Sequence, residues 1–256
     1  MNLKKRLQRN ELTIGSWITL GHPGIVEIMA QTDFDWLVVD MEHSVIEANT
    51  AQLMISLIQA SGKDALVRVG KNDELIIKRV MDAGATGVIV PMVNTAELAR
   101  QAVSFVKYPP AGKRGVGLAR AQKYGYGFDD YKSWLDDQSI VVAQIEHIDA
   151  INNFGEIVDI EDIDAYIIGP YDLSASMGYP GEYHRQEVTD AIDHVIKVCR
   201  NKSKPIGFHV IQPDANQVNE KIKQGCTFLA FSIDFFFLGH KIKEEFSKIK
   251  KNNPTA

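Results

Sequence analysis

Apolar residues arrive along this chain in short bursts, separated by stretches whose apolar spacing is helical. The first burst is Thr13-Ile14-Gly15-Ser16-Trp17-Ile18, which follows a short basic amphipathic segment. Gly21-His22-Pro23-Gly24 breaks it, and Pro23 is placed to start a helix through Met29 and Ala30. Trp36-Leu37-Val38-Val39-Asp40 is the second burst, and Leu53, Ile55, Leu57 and Ile58 then mark a helix ending by Gly62. Residues 65–69 predict a strand, and 74–83 a helix closed by Gly84. Residues 87–91 predict a strand, and 96–106 a helix capped by Thr95. A Pro- and Gly-rich stretch from Tyr108 to Gly117 then interrupts the rhythm, and aromatic and glycine residues continue to Phe128. It reads as a long loop after the fourth strand, a place where function concentrates. Beyond a short helix at 128–136, strands are predicted at 140–146, 165–168, 205–210 and 228–232. Helices are predicted at 148–158, 189–200, 214–224 and 234–249.

Eight apolar runs, mostly alternating with helices, predict an α/β fold of the (β/α)8 TIM-barrel kind. No composition shift, linker or short repeat divides residues 1–256, so they read as a single domain. An open doubly wound sheet of eight strands is the alternative. Such a sheet usually carries a Gly-rich phosphate turn after its first strand, and Gly15-Ser16-Trp17 does not fit one.

Composition narrows the function. With 45% hydrophobic and 24% charged residues the chain is ordinarily globular, and a net charge of -5 offers no basic surface to nucleic acid. The basic runs Lys4-Lys5-Arg6 and Lys248 to Lys251 read as solvated helix ends. No run approaches the roughly 20 apolar residues of a membrane span, and MNLKKRLQRNEL lacks the apolar centre of a secretion signal. Cys199 and Cys226 form neither a CxxC pair nor a disulfide framework, so they are expected to be buried thiols in a reducing compartment. A soluble cytoplasmic protein is expected.

In a parallel barrel all strand carboxyl ends face one mouth. The polar residues there are Asp40, Glu42 and His43, then Arg68, then Gln144 and Glu146, then Asp172, then His209. Each alone has a bland explanation, such as a rim contact for Arg68 or a helix cap for Glu146. Together they are charges that burial would force to pair. Glu146 and Asp172 suit a hard divalent cation with oxygen ligands. His43 suits a general base, oriented by Asp40 three residues earlier. Arg68 suits an anion stabiliser, and the backbone around Gly169-Pro170-Tyr171-Asp172 can offer N–H groups to a carboxylate. That set fits enolate formation beside a carbonyl. Lys71 is the nearest lysine for Schiff-base chemistry.

Several stretches carry a resemblance along nearly the whole chain: Asp40-Met41-Glu42-His43; Leu66-Val67-Arg68; Val90-Pro91-Met92-Val93-Asn94-Thr95-Ala96-Glu97; Tyr108-Pro109-Pro110-Ala111-Gly112-Lys113-Arg114-Gly115; Gln144-Ile145-Glu146; and Ile168 to Gly178. The chain resembles the metal-dependent (class II) pyruvate aldolases of the HpcH/HpaI family, of the 2-oxo-3-deoxy acid type. The resemblance implies a TIM barrel whose C-terminal helix is exchanged between subunits of a hexamer, a trimer of dimers. It implies reversible cleavage of a 4-hydroxy-2-oxo or 2-oxo-3-deoxy acid to pyruvate and an aldehyde, through a metal-stabilised enolate. Glu146 and Asp172 would hold Mg2+ or Mn2+, with Co2+ a further option. Arg68 would stabilise the enolate, and His43 with Asp40 would move the proton of the aldol hydroxyl. Gln144, Gly169, Pro170, Tyr171 and His209 would line the substrate. Related outcomes, a decarboxylating carbon–carbon bond former or a CoA-ester lyase, stay open, as does a non-catalytic barrel that binds a sugar acid. The chain departs from its relatives at Met41, at Ser44-Val45, at Tyr171 and at His209, which leaves the aldehyde partner open. Glu42 is expected to stand behind the site, and His22 to sit near the mouth.

Overall fold

The apolar runs close into a ring in which each strand lies beside its neighbour in sequence, all parallel, with β8 returning to β1. The computed structural model describes residues 2–249. Its first half runs α1 (Leu3–Gln8), β1 (Thr13–Ile18), α2 (Pro23–Ala30), β2 (Trp36–Asp40), α3 (Ala48–Ala60), β3 (Asp64–Arg68), α4 (Glu74–Asp82), β4 (Gly87–Val90) and α5 (Ala96–Val106). After a 3-10 turn at Lys123–Gly125 come α6 (Phe128–Gln138), β5 (Ile140–Ile145), α7 (Ile148–Asn152), α8 (Phe154–Ile157), β6 (Ala165–Ile168) and α9 (Pro170–Ser176). The chain closes with α10 (Gln186–Asn201), β7 (Ile206–Val210), α11 (Ala215–Gln224), β8 (Phe228–Ile233) and α12 (Asp234–Ser247). This is the expected (β/α)8 barrel; its closure rules out the open-sheet alternative.

Strand alternation sorts the core into two. Outward residues such as Leu37, Val39, Val67 and Val141 pack under the helices. Inward residues such as Trp36, Val38, Leu66, Ile89, Val142 and Ile167 fill the barrel. Leu3 and Leu7 of α1 join that inner cluster and plug the amino end. The Trp36 ring stacks on Phe228 at 4.4 Å. Gly15, on the neighbouring strand, leaves room for it: a Cβ there would lie 2.1 Å from the Trp36 ring.

Where first and last strands meet, the ladder slips. Gly15 pairs with Ala230 and Trp17 with Ile233, so β8 holds one extra residue. Ser232 takes a left-handed φ of 55° there. Asp234 then ties the seam, its carboxylate accepting from the N–H groups of Thr19 (2.9 Å) and Leu20 (2.7 Å) and from the Thr19 hydroxyl.

Several expectations change. The helix expected at 148–158 is broken at Asn153, whose amide side chain donates to the Asn94 carbonyl at 2.9 Å. Residues 170–176 form a helix that no apolar period announces, started by Pro170 after Gly169. Lys4 is buried rather than solvated, because Asp164 (3.0 Å) and the Ser139 carbonyl (2.8 Å) receive its ammonium. Lys248 does sit on the surface, paired with Glu244 and Glu245; Lys250 and Lys251 lie outside the described residues. The Pro- and Gly-rich loop follows a helix, α5, so it lies at the amino end of the barrel and not at the mouth. It is packed there: Arg114 lies buried over the Tyr108 ring at 4.4 Å and donates to the Tyr131 hydroxyl at 2.8 Å.

Gly15→Ala should lower stability by roughly 1–3 kcal/mol, the usual cost of overpacking a filled core. A denaturant midpoint equal to that of the parent would show that Trp36 yields freely.

Candidate active site

Asp40 and Arg68 are register partners on β2 and β3, and both point inward at the carboxyl end. The guanidinium therefore meets the carboxylate side by side: Nε donates to Oδ1 at 2.9 Å and Nη2 to Oδ2 at 2.6 Å. Oδ1 also accepts the backbone N–H groups of Glu42 (3.0 Å) and His43 (3.3 Å). Burial alone would raise the Asp40 carboxyl, but these partners outweigh it and hold it below the usual range.

This geometry corrects the expected Asp40–His43 pair. The Asp40 carboxylate serves the His43 main chain and Arg68, and leaves the His43 ring to another acid. That ring is 62% exposed, with Nε2 3.9 Å from Oε2 of Glu42. Glu42 thus lies between the side chains of His43 and Arg68. Its Oε2 lies 3.3 Å from Arg68 Nη1, yet is buried with no aligned hydrogen bond. Burial, opposed by Arg68 and reinforced by Glu146, Asp40 and Asp172, pushes its carboxyl up to about 7.

Glu146 follows β5 and is buried. Its Oε1 accepts the Met92 N–H at 2.8 Å, and its Oε2 accepts the Gln144 amide. Burial raises its carboxyl; Gln144 and Met92 oppose this, and Asp172 adds to it. Gly169 leaves space for this carboxylate, since a Cβ there would lie 2.9 Å from Oε2. Asp172 stands exposed in the first turn of α9, beside exposed Tyr171 and buried Pro170.

His209 comes from β7. Its ring stacks on Trp17 at 4.6 Å, and its Nε2 lies 3.1 Å from the Ser232 carbonyl oxygen. Burial, aided by Arg68, pulls its pKa down to about 4. The Arg68 guanidinium lies 5.5 Å from the Trp17 ring.

A cavity of about 340 Å3 opens at the carboxyl end, lined by Trp17, Asp40, His43, Arg68, Gln144, residues 169–172 and His209, with Glu146 against Gln144 and Gly169 of its wall. All the residues expected at the substrate come together there. His22 does not line it; its ring caps α2 by accepting the Gly24 N–H. A larger hollow of about 760 Å3 opens at the amino end, lined by Lys4, Gln59, Arg120 and Lys123 among others. Its cations are already engaged, Arg120 by Gln59 and the Ala83 carbonyl and Lys123 by Asp130, so size there does not mark chemistry. Sequence reasoning missed Trp17 and the Met92 N–H. Trp17 shares the inward parity of its strand, a signal that was available.

The donor set suits a hard divalent ion. Glu146 and Asp172 are acidic neighbours, and among the described residues no cationic side chain hydrogen-bonds Glu146. Among the described residues no three His, Cys, Asp or Glu side chains gather as a complete cage.

Comparison with known proteins places this geometry. The family model described as HpcH/HpaI aldolase/citrate lyase matches residues 13–240. A 2-keto-3-deoxy-L-rhamnonate aldolase of Escherichia coli K12 is 36% identical over 98% of this chain and 94% of that protein. The crystal structure of an HpcH/HpaI aldolase from Desulfitobacterium hafniense superposes with a TM-score of 0.90 at 28% identity, covering 100% of this chain and 99% of that one. An HpcH/HpaI aldolase/citrate lyase family protein from Burkholderia cenocepacia gives a TM-score of 0.92 at 26% identity, over 97% and 99% of the two chains.

In chelator-treated protein the Glu42 carboxyl should titrate near pH 7 by carbon-13 NMR. Its folded pKa is raised, so it adds stability below about pH 4.5, and that stability is lost as pH climbs towards 7. Arg68→Ala should move the titration higher still, by removing the opposing cation. An ordinary carboxylate titration would mean that Glu42 is solvated.

Proposed function

We propose, from the premise that this chain belongs to the HpcH/HpaI aldolase/citrate lyase family, that it cleaves a 2-keto-3-deoxy sugar acid to pyruvate and a hydroxylated aldehyde. The chain is an aldolase, a carbon–carbon lyase, in a class of aldolases that depends on divalent metal. The observation that carries the substrate reading is the convergence of Arg68 and Asp172 on one cavity, with Glu146 set against Gln144 and Gly169 of its wall.

Glu146 and Asp172 would hold Mg2+ or Mn2+, with Gln144 and the Met92 N–H fixing the Glu146 carboxylate. Bound there, the ion supplies Lewis-acid polarisation of the substrate 2-oxo group. The remaining work falls to the chain. The first-turn N–H groups of Tyr171 and Asp172, which a helix start leaves unpaired, take the substrate carboxylate. His43, exposed at the rim, removes the proton of the 4-hydroxyl. The C3–C4 bond then breaks, its electron pair passes into the C2–C3 enolate, and the aldehyde departs. Arg68 stabilises the enolate oxygen as a cation with no proton to lose. Asp40 positions Arg68 by its two hydrogen bonds, and Glu42 faces both Arg68 and His43. Protonation at C3 completes pyruvate.

A homo-oligomer, a hexamer built as a trimer of dimers, is part of the same reading. Phe235, Leu238, Ile242, Phe246 and Ile249 lie exposed at helical spacing along α12 and just beyond it, and Val116, Leu118, Tyr124 and Tyr126 are exposed on the amino-end loop. Contact between copies, with α12 exchanged, would cover such surface. A cytoplasmic location is also proposed: Cys199 and Cys226 are free and buried, and no helix among the described residues is long and apolar enough to cross a membrane.

Incubated with pyruvate and Mg2+ or Mn2+ in D2O, the protein should exchange the methyl protons. Glu146→Ala and Asp172→Ala should abolish exchange together with metal binding. Arg68→Ala should cost roughly 10²–10³-fold, the usual loss of an oxyanion donor, with metal retained. Folded protein that fails to exchange these protons whichever divalent ion is supplied would overturn the aldolase reading. By light scattering the parent should be larger than a monomer, and Ile242→Glu with Phe246→Glu should reduce its mass; a monomeric parent would refute the assembly.

A further inference from the structure

His209 reaches the cavity in a fixed tautomer. Its Nε2 lies 3.1 Å from the Ser232 carbonyl oxygen, and a carbonyl oxygen can only accept, so Nε2 carries the hydrogen. The extra residue in β8 sets this up: Ser232, at φ 55°, has its hydroxyl bonded to the Ile211 carbonyl at 2.8 Å. The flat stack on Trp17, at an interplanar angle of 18°, limits rotation of the ring. The ring is also kept uncharged near neutral pH by burial and by Arg68. Nδ1 therefore presents a bare lone pair, and it takes part in no hydrogen bond among the described residues.

The chemistry of the substrate then decides what His209 can meet. In the pyruvyl half, the carboxylate and the 2-oxo oxygen are acceptors only. A second acceptor repels them, and Arg68 and the α9 N–H groups already suit them. Hydroxyl donors occur in the aldehyde half. Resting on the aldolase reading, we infer that His209 is a specificity residue whose Nδ1 accepts a hydrogen bond from a hydroxyl on the aldehyde half, so that hydroxylated aldehydes are selected over apolar ones of the same length.

The test compares 2-hydroxypropanal with 2-fluoropropanal as partners of pyruvate in carbon–carbon bond formation, with Mg2+ or Mn2+ present. Fluorine is close to hydroxyl in size and withdraws electrons more strongly, which favours attack on the fluoro compound, but it donates no hydrogen bond. The parent should favour the hydroxy compound in kcat/KM by about fivefold, the worth of one neutral hydrogen bond. His209→Phe keeps a ring on Trp17 and removes the lone pair; it should bring the two aldehydes within about twofold, read as the kcat/KM ratio measured on the same variant preparation. Equal rates with both aldehydes in the parent overturn the inference without any variant. So does a preference that survives His209→Phe. If His209→Phe does not fold, His209→Leu serves with the same expectation. Absence of pyruvate exchange in the parent overturns the aldolase reading and this inference with it, whereas intact exchange without hydroxyl preference overturns this inference alone.

Discussion

The Asp40–Arg68 ion pair is the constraint on which the mouth of this barrel depends. Two strands in register place a carboxylate and a guanidinium side by side at their last residues, buried under the rim. A buried charge is tolerated only when paired and hydrogen-bonded. Each partner is both. Asp40 spends its remaining capacity on the N–H groups of Glu42 and His43, and so shapes the turn that carries them. Arg68 keeps Nη1 toward Glu42 and lies over Trp17, which in turn supports His209. Position passes from this pair to the His43 turn on one side and the His209 imidazole on the other. A change at either member would leave an uncompensated charge and move both.

The second half of the site has a different logic. Glu146 is held by neutral donors, so its charge is oriented without being neutralised. Asp172 approaches from the next strand's helix and raises the cost of ionisation further. One side of the cavity is thus an electrostatically satisfied cation and acid, and the other an unsatisfied pair of acids. In the proposed function that asymmetry would separate a place for a substrate anion from a place for a metal ion.

Much of this was legible before any coordinates. Parallel strands, apolar on both faces, show as short continuous runs, and polar residues that interrupt those runs at their carboxyl ends stand out. Partnership across strands did not show. Asp40 lies three residues from His43 in sequence but opposite Arg68 in space, and register is a property of two strands, not of one. Trp17 was hidden because an aromatic residue in a strand needs no explanation beyond packing. Glu42 was discounted because its raised pKa comes from burial and from acids on other strands. The short α9 escaped because seven residues begun by Gly169-Pro170 carry too little apolar periodicity. The Pro- and Gly-rich loop suggested function by composition, but it follows a helix, and direction alone puts it opposite the mouth.

The α1 plug has a consequence for charge. Leu3 and Leu7 close the lower end of the barrel, and the interior above them is hydrocarbon up to Trp17. Field from the groups at the mouth cannot spread into a polarisable medium below. It is funnelled through the single opening into water, so an approaching anion or cation meets the potential of the strand ends concentrated along one axis. The hydrocarbon filling that stabilises the fold also aims its electrostatics.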